Sequence, residues 1–131
     1  MEKKDLINYW LESAKMDYTT MEKLYQMEEY PWSLFLGQLV LEKALKAIYS
    51  QNIDSNAPRI HDLSRLAIAA KIEVPQKDKD NLDVISMFNL NTRYPDAKLS
   101  FYRKCTKEYT TKYIEIIKDI YQWLTSLVEQ N

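Results

Sequence analysis

Apolar residues recur three and four positions apart along most of this chain, the spacing that gathers side chains on one face of an α-helix. The densest stretch is Trp32 to Tyr49, WSLFLGQLVLEKALKAIY, where Trp32, Phe35, Leu36, Leu39, Val40, Ala44, Leu45 and Ile48 share a broad face and Leu41 extends it toward a second side. A surface helix needs a single stripe, so this breadth predicts a central helix with neighbours on two sides, relieved only by the polar patch Glu42, Lys43 and Lys46. Before it, Leu6, Trp10, Ala14, Tyr18, Met21 and Leu24 or Tyr25 predict an amphipathic helix from Asp5 to about Met27. Glu28-Glu29-Tyr30-Pro31 breaks the period and predicts a tight helix-helix connection, with Pro31 in the first turn of the central helix.

Gln51 to Arg59 carries Asn, Asp, Ser and Pro without a period and predicts a loop. Leu63, Leu66, Ala67 and Ala70 predict a short third helix over His61 to Ile72, with Asp62 near its start, where the helix dipole favours an anion. A fourth helix is predicted from Gln76 to Asn89 on Leu82, Ile85 and Phe88. Asn89 to Ser100, NLNTRYPDAKLS, reads as a break centred on Tyr94-Pro95-Asp96, and a last helix from about Arg103 to Val128 carries Tyr113, Ile116, Ile117, Ile120 and Leu127. No alternating run is long enough for a sheet. The expectation is one all-α domain over residues 1–131, an antiparallel bundle of about five helices.

The lone glycine, Gly37, lies inside the central helix at a cost of about 1 kcal/mol relative to alanine, which predicts a close approach by another backbone or else a tolerated small residue. Eighteen basic and nineteen acidic residues give a net charge of −1, so no whole-molecule field favours nucleic acid or membrane. The only cysteine, Cys105, has no intramolecular partner and fits a reducing compartment. The N-terminal stretch has no unbroken apolar run, and no segment approaches the length of a spanning helix, so a soluble, unprocessed, cytoplasmic protein without membrane contact is expected.

Candidate chemistry is sparse. His61, Asp62 and Ser64 are close in sequence, but neighbours on a helix do not face one another and form no nucleophilic triad; His61 is read as donating to the preceding loop or pairing with a carboxylate. One His and one Cys make no zinc site, and one glycine makes no phosphate loop. No metal or cofactor is expected. Tyr102, Arg103, Lys104, Lys107, Tyr109, Lys112 and Tyr113 mix cations with rings, which suits RNA but also describes a solvated helix face diluted by Glu108. Glu42 and Lys46 have the favourable i, i+4 order of an ion pair. Arg93-Tyr94-Pro95-Asp96 reads as a rigid turn whose guanidinium either holds phosphate or carboxylate, or clasps Asp96.

WLESAKMDY at 10–18, YPWSLFLGQLVLEKALKAIY at 30–49, PRIHDLSRLA at 58–67 and TRYPDA at 92–97 together resemble the HEPN domain (higher eukaryotes and prokaryotes nucleotide-binding), in order and spacing, over nearly the whole chain. The resemblance implies a four-helix up-and-down core plus a short helix. It also implies a homodimer and a two-component, toxin-antitoxin-like pairing with a minimal nucleotidyltransferase, with nucleotide or RNA as ligand. Some members are metal-independent ribonucleases that carry an Arg followed, after four to six residues, by a His. Arg93 matches the arginine, but the corresponding positions here hold Lys98, Leu99 and Ser100. Without that proton-transfer group the resemblance implies a binding and assembly module rather than an enzyme. Its candidate groove is Glu42, Lys43, Lys46, His61, Arg93, Tyr94 and Asp96. A divergent ribonuclease using Arg93 with Lys98 or His61, and a purely structural bundle, are the alternatives.

Overall fold

Helix α1 runs over Lys3–Gln26 and turns Ala14 and Met21 fully inward, with Leu6, Trp10, Tyr18 and Leu24 half-buried and Asp5, Glu12, Lys15 and Lys23 exposed. In this computed structural model the described residues are 2–54 and 56–129, apart from the side chains of Pro95, Asp96 and Glu129. Glu28, at φ 63°, ends α1: its N–H bonds to the Tyr25 carbonyl at 3.0 Å and that of Glu29 to Leu24 at 2.9 Å, the double bond of a Schellman cap. Helix α2, Tyr30–Asn52, starts immediately, with Pro31 in its first turn and Ser33 Oγ donating to the Met21 carbonyl at 3.0 Å across the hairpin.

Helix α2 is the centre of the molecule, packing against α1 and against every later helix of the chain. Helix α3, Leu63–Ala69, is shorter than the period predicts. Asp62 Oδ1 accepts from Arg65 N at 3.1 Å to cap its start, and Lys71, at φ 58°, ends it with a second Schellman pair. Helix α4, Gln76–Arg93, continues four residues past the predicted end.

The connection expected over Asn89 to Ser100 is in fact helical. Arg93 is the last residue of α4, and after the extended Tyr94 a further helix, α5, occupies Pro95–Lys104. A proline blocks a helix from continuing through it but is well suited to begin one, so Pro95 restarts the chain rather than stiffening a turn. Phe101 and Cys105, four apart, are buried on the inner side of this segment. Helix α6, Lys107–Glu129, begins after Thr106, whose Oγ1 accepts from Tyr109 N at 3.2 Å. The expected all-α bundle is therefore what the chain forms, with six helices, α5 being the one added to the expected set, and no strand among the described residues. Among the described residues no helix is long and apolar enough to cross a membrane.

The core gathers where α2 meets α4 and α6. Phe88 lies at its aromatic end, 5.5 Å from the ring of Phe101 and 5.4 Å, edge-on, from Tyr113. Gly37 faces α6, but what comes close is a side chain rather than a backbone: a β-carbon there would lie 2.5 Å from Ile117 Cδ1 and 3.3 Å from Met21 Sδ.

Candidate functional site

The polar patch of α2 does not face solvent. Gln38, Glu42 and Lys46 succeed one another at i, i+4 and i+8 on one face, and all three are buried, Glu42 to 4 % exposure. Glu42 is the hub. Its Oε1 accepts from Gln38 Nε2 at 3.0 Å and pairs with His61 Nδ1 at 2.7 Å, while Oε2 accepts from Lys46 Nζ at 3.0 Å. Burial alone would raise the Glu42 pKa, but the hydrogen bonds from Gln38, His61 and Lys46, with the charge of Lys46, outweigh it and hold the carboxyl below its ordinary value. Glu42 is thus an anion at neutral pH. Lys46 is enclosed by this carboxylate and by the ring of Trp10, whose centre lies 5.1 Å from Nζ.

A line of amides leads from Glu42 toward the surface. Gln38 Nε2 also donates to the His61 carbonyl at 2.9 Å, and Gln38 Oε1 accepts from Asn89 Nδ2 at 2.8 Å, crossing from α2 to α4. Asn89 Oδ1 accepts from Arg93 Nη2, and the Asn89 carbonyl from Arg93 Nε at 3.0 Å. The guanidinium lies against two rings, with Cζ 5.9 Å from the centre of Phe35 and 5.4 Å from that of the half-exposed Tyr94; Trp32 stands edge-on to Phe35 at 5.6 Å.

Of the residues singled out from the sequence, Glu42, Lys46, His61 and Arg93 belong to this one network, and Tyr94 borders it. Lys43 points elsewhere, 2.6 Å from Asp17 of α1. The Asp96 side chain, and with it the clasp to Arg93, lies outside the described residues. The two amides that join the parts, Gln38 and Asn89, escaped notice because amides carry no charge and commonly mark surfaces or loops. The available signal was a Gln amid apolar residues, four before Glu42.

Chemically, the network presents one exposed cation, Arg93, on an aromatic rim, with a compensated acid behind it. His61 spends Nδ1 on Glu42, and in the hydrogen-bond chain Gln38 and Asn89 stand between His61 and Arg93. No group of three or more His, Cys, Asp or Glu side chains suited to a metal ion occurs among the described residues. On the far side of α4, a groove of about 460 Å³ is lined by Met87, Phe101, Lys104 and Tyr109 and holds none of these polar groups. In the nearby cationic segment Lys104 lies over the ring of Tyr109 at 5.5 Å and Lys112 over that of Tyr113 at 5.2 Å, and just before the segment Lys98 lies over Tyr102 at 5.5 Å.

No curated protein matches the chain. The crystal structure of TT1696 from Thermus thermophilus superposes with a TM-score of 0.80 over 92 % of this chain and 96 % of that one at 21 % identity, which shows a shared fold. The family model of the HEPN domain matches residues 7–127, and with that extent the chain belongs to the HEPN domain family.

Proposed function

We propose that this HEPN-family chain is a binding and assembly module that holds a phosphate of a nucleotide or RNA at Arg93, works as a homodimer, and partners a minimal nucleotidyltransferase in a two-component, toxin-antitoxin-like system. The observation that carries the binding role is the guanidinium of Arg93, anchored on one side by Asn89 and set at an aromatic rim of Phe35 and Tyr94. A fixed guanidinium suits phosphate, and adjacent rings suit a base. Self-association is supported by Met87, Leu90 and Tyr94, which repeat along one side of α4 and its end and are each more than 40 % exposed, with Trp32 also exposed on α2. Binding without cleavage is favoured because Lys98, Leu99 and Ser100 stand where the ribonuclease motif needs its histidine.

Labelled single-stranded RNA and nucleotides are to be incubated with wild type and Arg93→Ala in EDTA, alongside light scattering and identification of proteins that co-purify at native expression. Salt-sensitive binding without cleavage, lost in Arg93→Ala, is expected of a dimer. Robust cleavage abolished by Arg93→Ala would replace this reading with the ribonuclease. Equal absence of binding in both proteins would remove the ligand role, and a strict monomer at micromolar concentration the assembly role.

A further inference from the structure

The hydrogen bonds between Glu42 and Arg93 have a fixed direction. An ionised carboxylate only accepts, so the Gln38 amide must turn its NH2 toward Glu42, where the same nitrogen also reaches the His61 carbonyl. Its oxygen is then left for α4. That oxygen can be satisfied only by a donor, so Asn89 turns its own NH2 toward Gln38 and its oxygen toward Arg93. Guanidinium groups only donate, and the chain of donors and acceptors closes without conflict. Reversing either amide would set oxygen against oxygen at one end and N–H against N–H at the other.

The occupied atoms determine which edge of Arg93 is left. Of the five guanidinium N–H groups, one on Nε and one on Nη2 are spent on Asn89, leaving both on Nη1 and one on Nη2. The Nε–Nη2 side edge is therefore closed by protein, and the Nη1–Nη2 end edge has no hydrogen-bond partner among the described residues. We infer that Gln38 and Asn89 are positioning residues, an amide relay that uses the buried Glu42 charge to orient Arg93 so that it takes an oxyanion end-on through Nη1 and Nη2. This rests on Arg93 being the anion-holding group. Neither amide touches the ligand; both act through Arg93.

The test follows the Arg93 Nη2 hydrogens by ¹⁵N NMR, assigned by their loss in Arg93→Ala, because the Asn89 side chain accepts from Nη2 whereas Nε donates to the Asn89 main-chain carbonyl, which no substitution at Gln38 or Asn89 removes; inorganic pyrophosphate affinity is measured by titration. In wild type the Nη2 hydrogen held by Asn89 exchanges slowly with solvent. Gln38→Met removes the group that orients Asn89 while keeping an unbranched side chain of similar length; exchange should quicken several-fold and pyrophosphate affinity should fall about two- to tenfold, the range one net hydrogen bond is worth. Asn89→Asp keeps an acceptor against Arg93, so exchange should stay slow even as the added carboxylate lowers anion affinity, whereas Asn89→Leu should lose both. That contrast repeats the test if Gln38→Met fails to fold. A folded Gln38→Met with wild-type exchange and affinity would overturn the relay, as would equal exchange in Asn89→Asp and Asn89→Leu. If wild type and Arg93→Ala bind pyrophosphate equally, the ligand role of Arg93 fails, and the exchange rates alone still decide whether the amides orient it.

Discussion

Replacing Gly37 with alanine sets two effects against each other at one atom. Alanine gains about 1 kcal/mol of helix propensity inside α2. Its methyl would arrive 2.5 Å from Ile117 Cδ1, well inside contact distance, and Ile117 is fully buried and has little room to withdraw. Overpacking of this kind costs about 1–3 kcal/mol, so the net expectation is a loss of about 0–2 kcal/mol. Ile117→Val deletes the offending Cδ1 and by itself should cost about 0.5–1.5 kcal/mol. In the double variant the new methyl occupies space that Cδ1 has vacated, with Ile117 Cγ1 at an ordinary 3.6 Å and Met21 Sδ at 3.3 Å the next neighbours. The clash disappears while the propensity gain remains, so the double variant should be more stable than the sum of the singles by about 1–3 kcal/mol. Urea unfolding at constant m, with thermal melts shifting by about 3–5 °C per kcal/mol for a chain of this size, measures it. Additivity within about 0.5 kcal/mol would refute the proximity of Gly37 and Ile117 as the cause.

Two further outcomes follow from buried titratable groups. Because the folded Glu42 pKa lies below that of an unfolded carboxyl, its contribution is fully present above the ordinary Glu pKa and fades as pH falls through the lower folded value; Glu42→Leu, which strands the buried Lys46, should cost about 3–5 kcal/mol near neutrality and much less in strong acid, and a loss that does not change with pH would contradict this. Cys105 is buried, and burial, only partly offset by Lys104, pushes its thiol up to about 12, so it should resist alkylation at pH 8 in the native protein and react once unfolded; prompt native labelling would place it at the surface.

The helices most legible in the sequence were those whose apolar period was long and whose ends carried a recognisable residue. The interval from Leu6 to Tyr25, Pro31 at the head of α2 and Asp62 at the cap of α3 all marked real elements. Helix α5 was hidden because it is short, polar on most sides, and opens with a proline that reads equally well as a stop; its inward positions, Ala97, Phe101 and Cys105, are too few to set a period. The network was half legible. Glu42 and Lys46 declared their pairing by spacing, but the burial of both did not follow from their charge, and the links through His61, Gln38 and Asn89 join residues 19, 23 and 51 positions apart. Such contacts are set by how α2, α3 and α4 pack, which no local pattern encodes.

The line of amides between α2 and α4 also works as a registry mark. Apolar faces can slide along each other with modest loss, since one aliphatic contact resembles the next. A slip of one helical turn would carry Asn89 about 5.4 Å along α2. Gln38 and Asn89, both buried, would then face hydrocarbon, and each unmet amide costs about 1–3 kcal/mol. The rungs meet at a single alignment, so the same groups that carry polarity to Arg93 select one vertical setting of the bundle from those that its oil alone would tolerate.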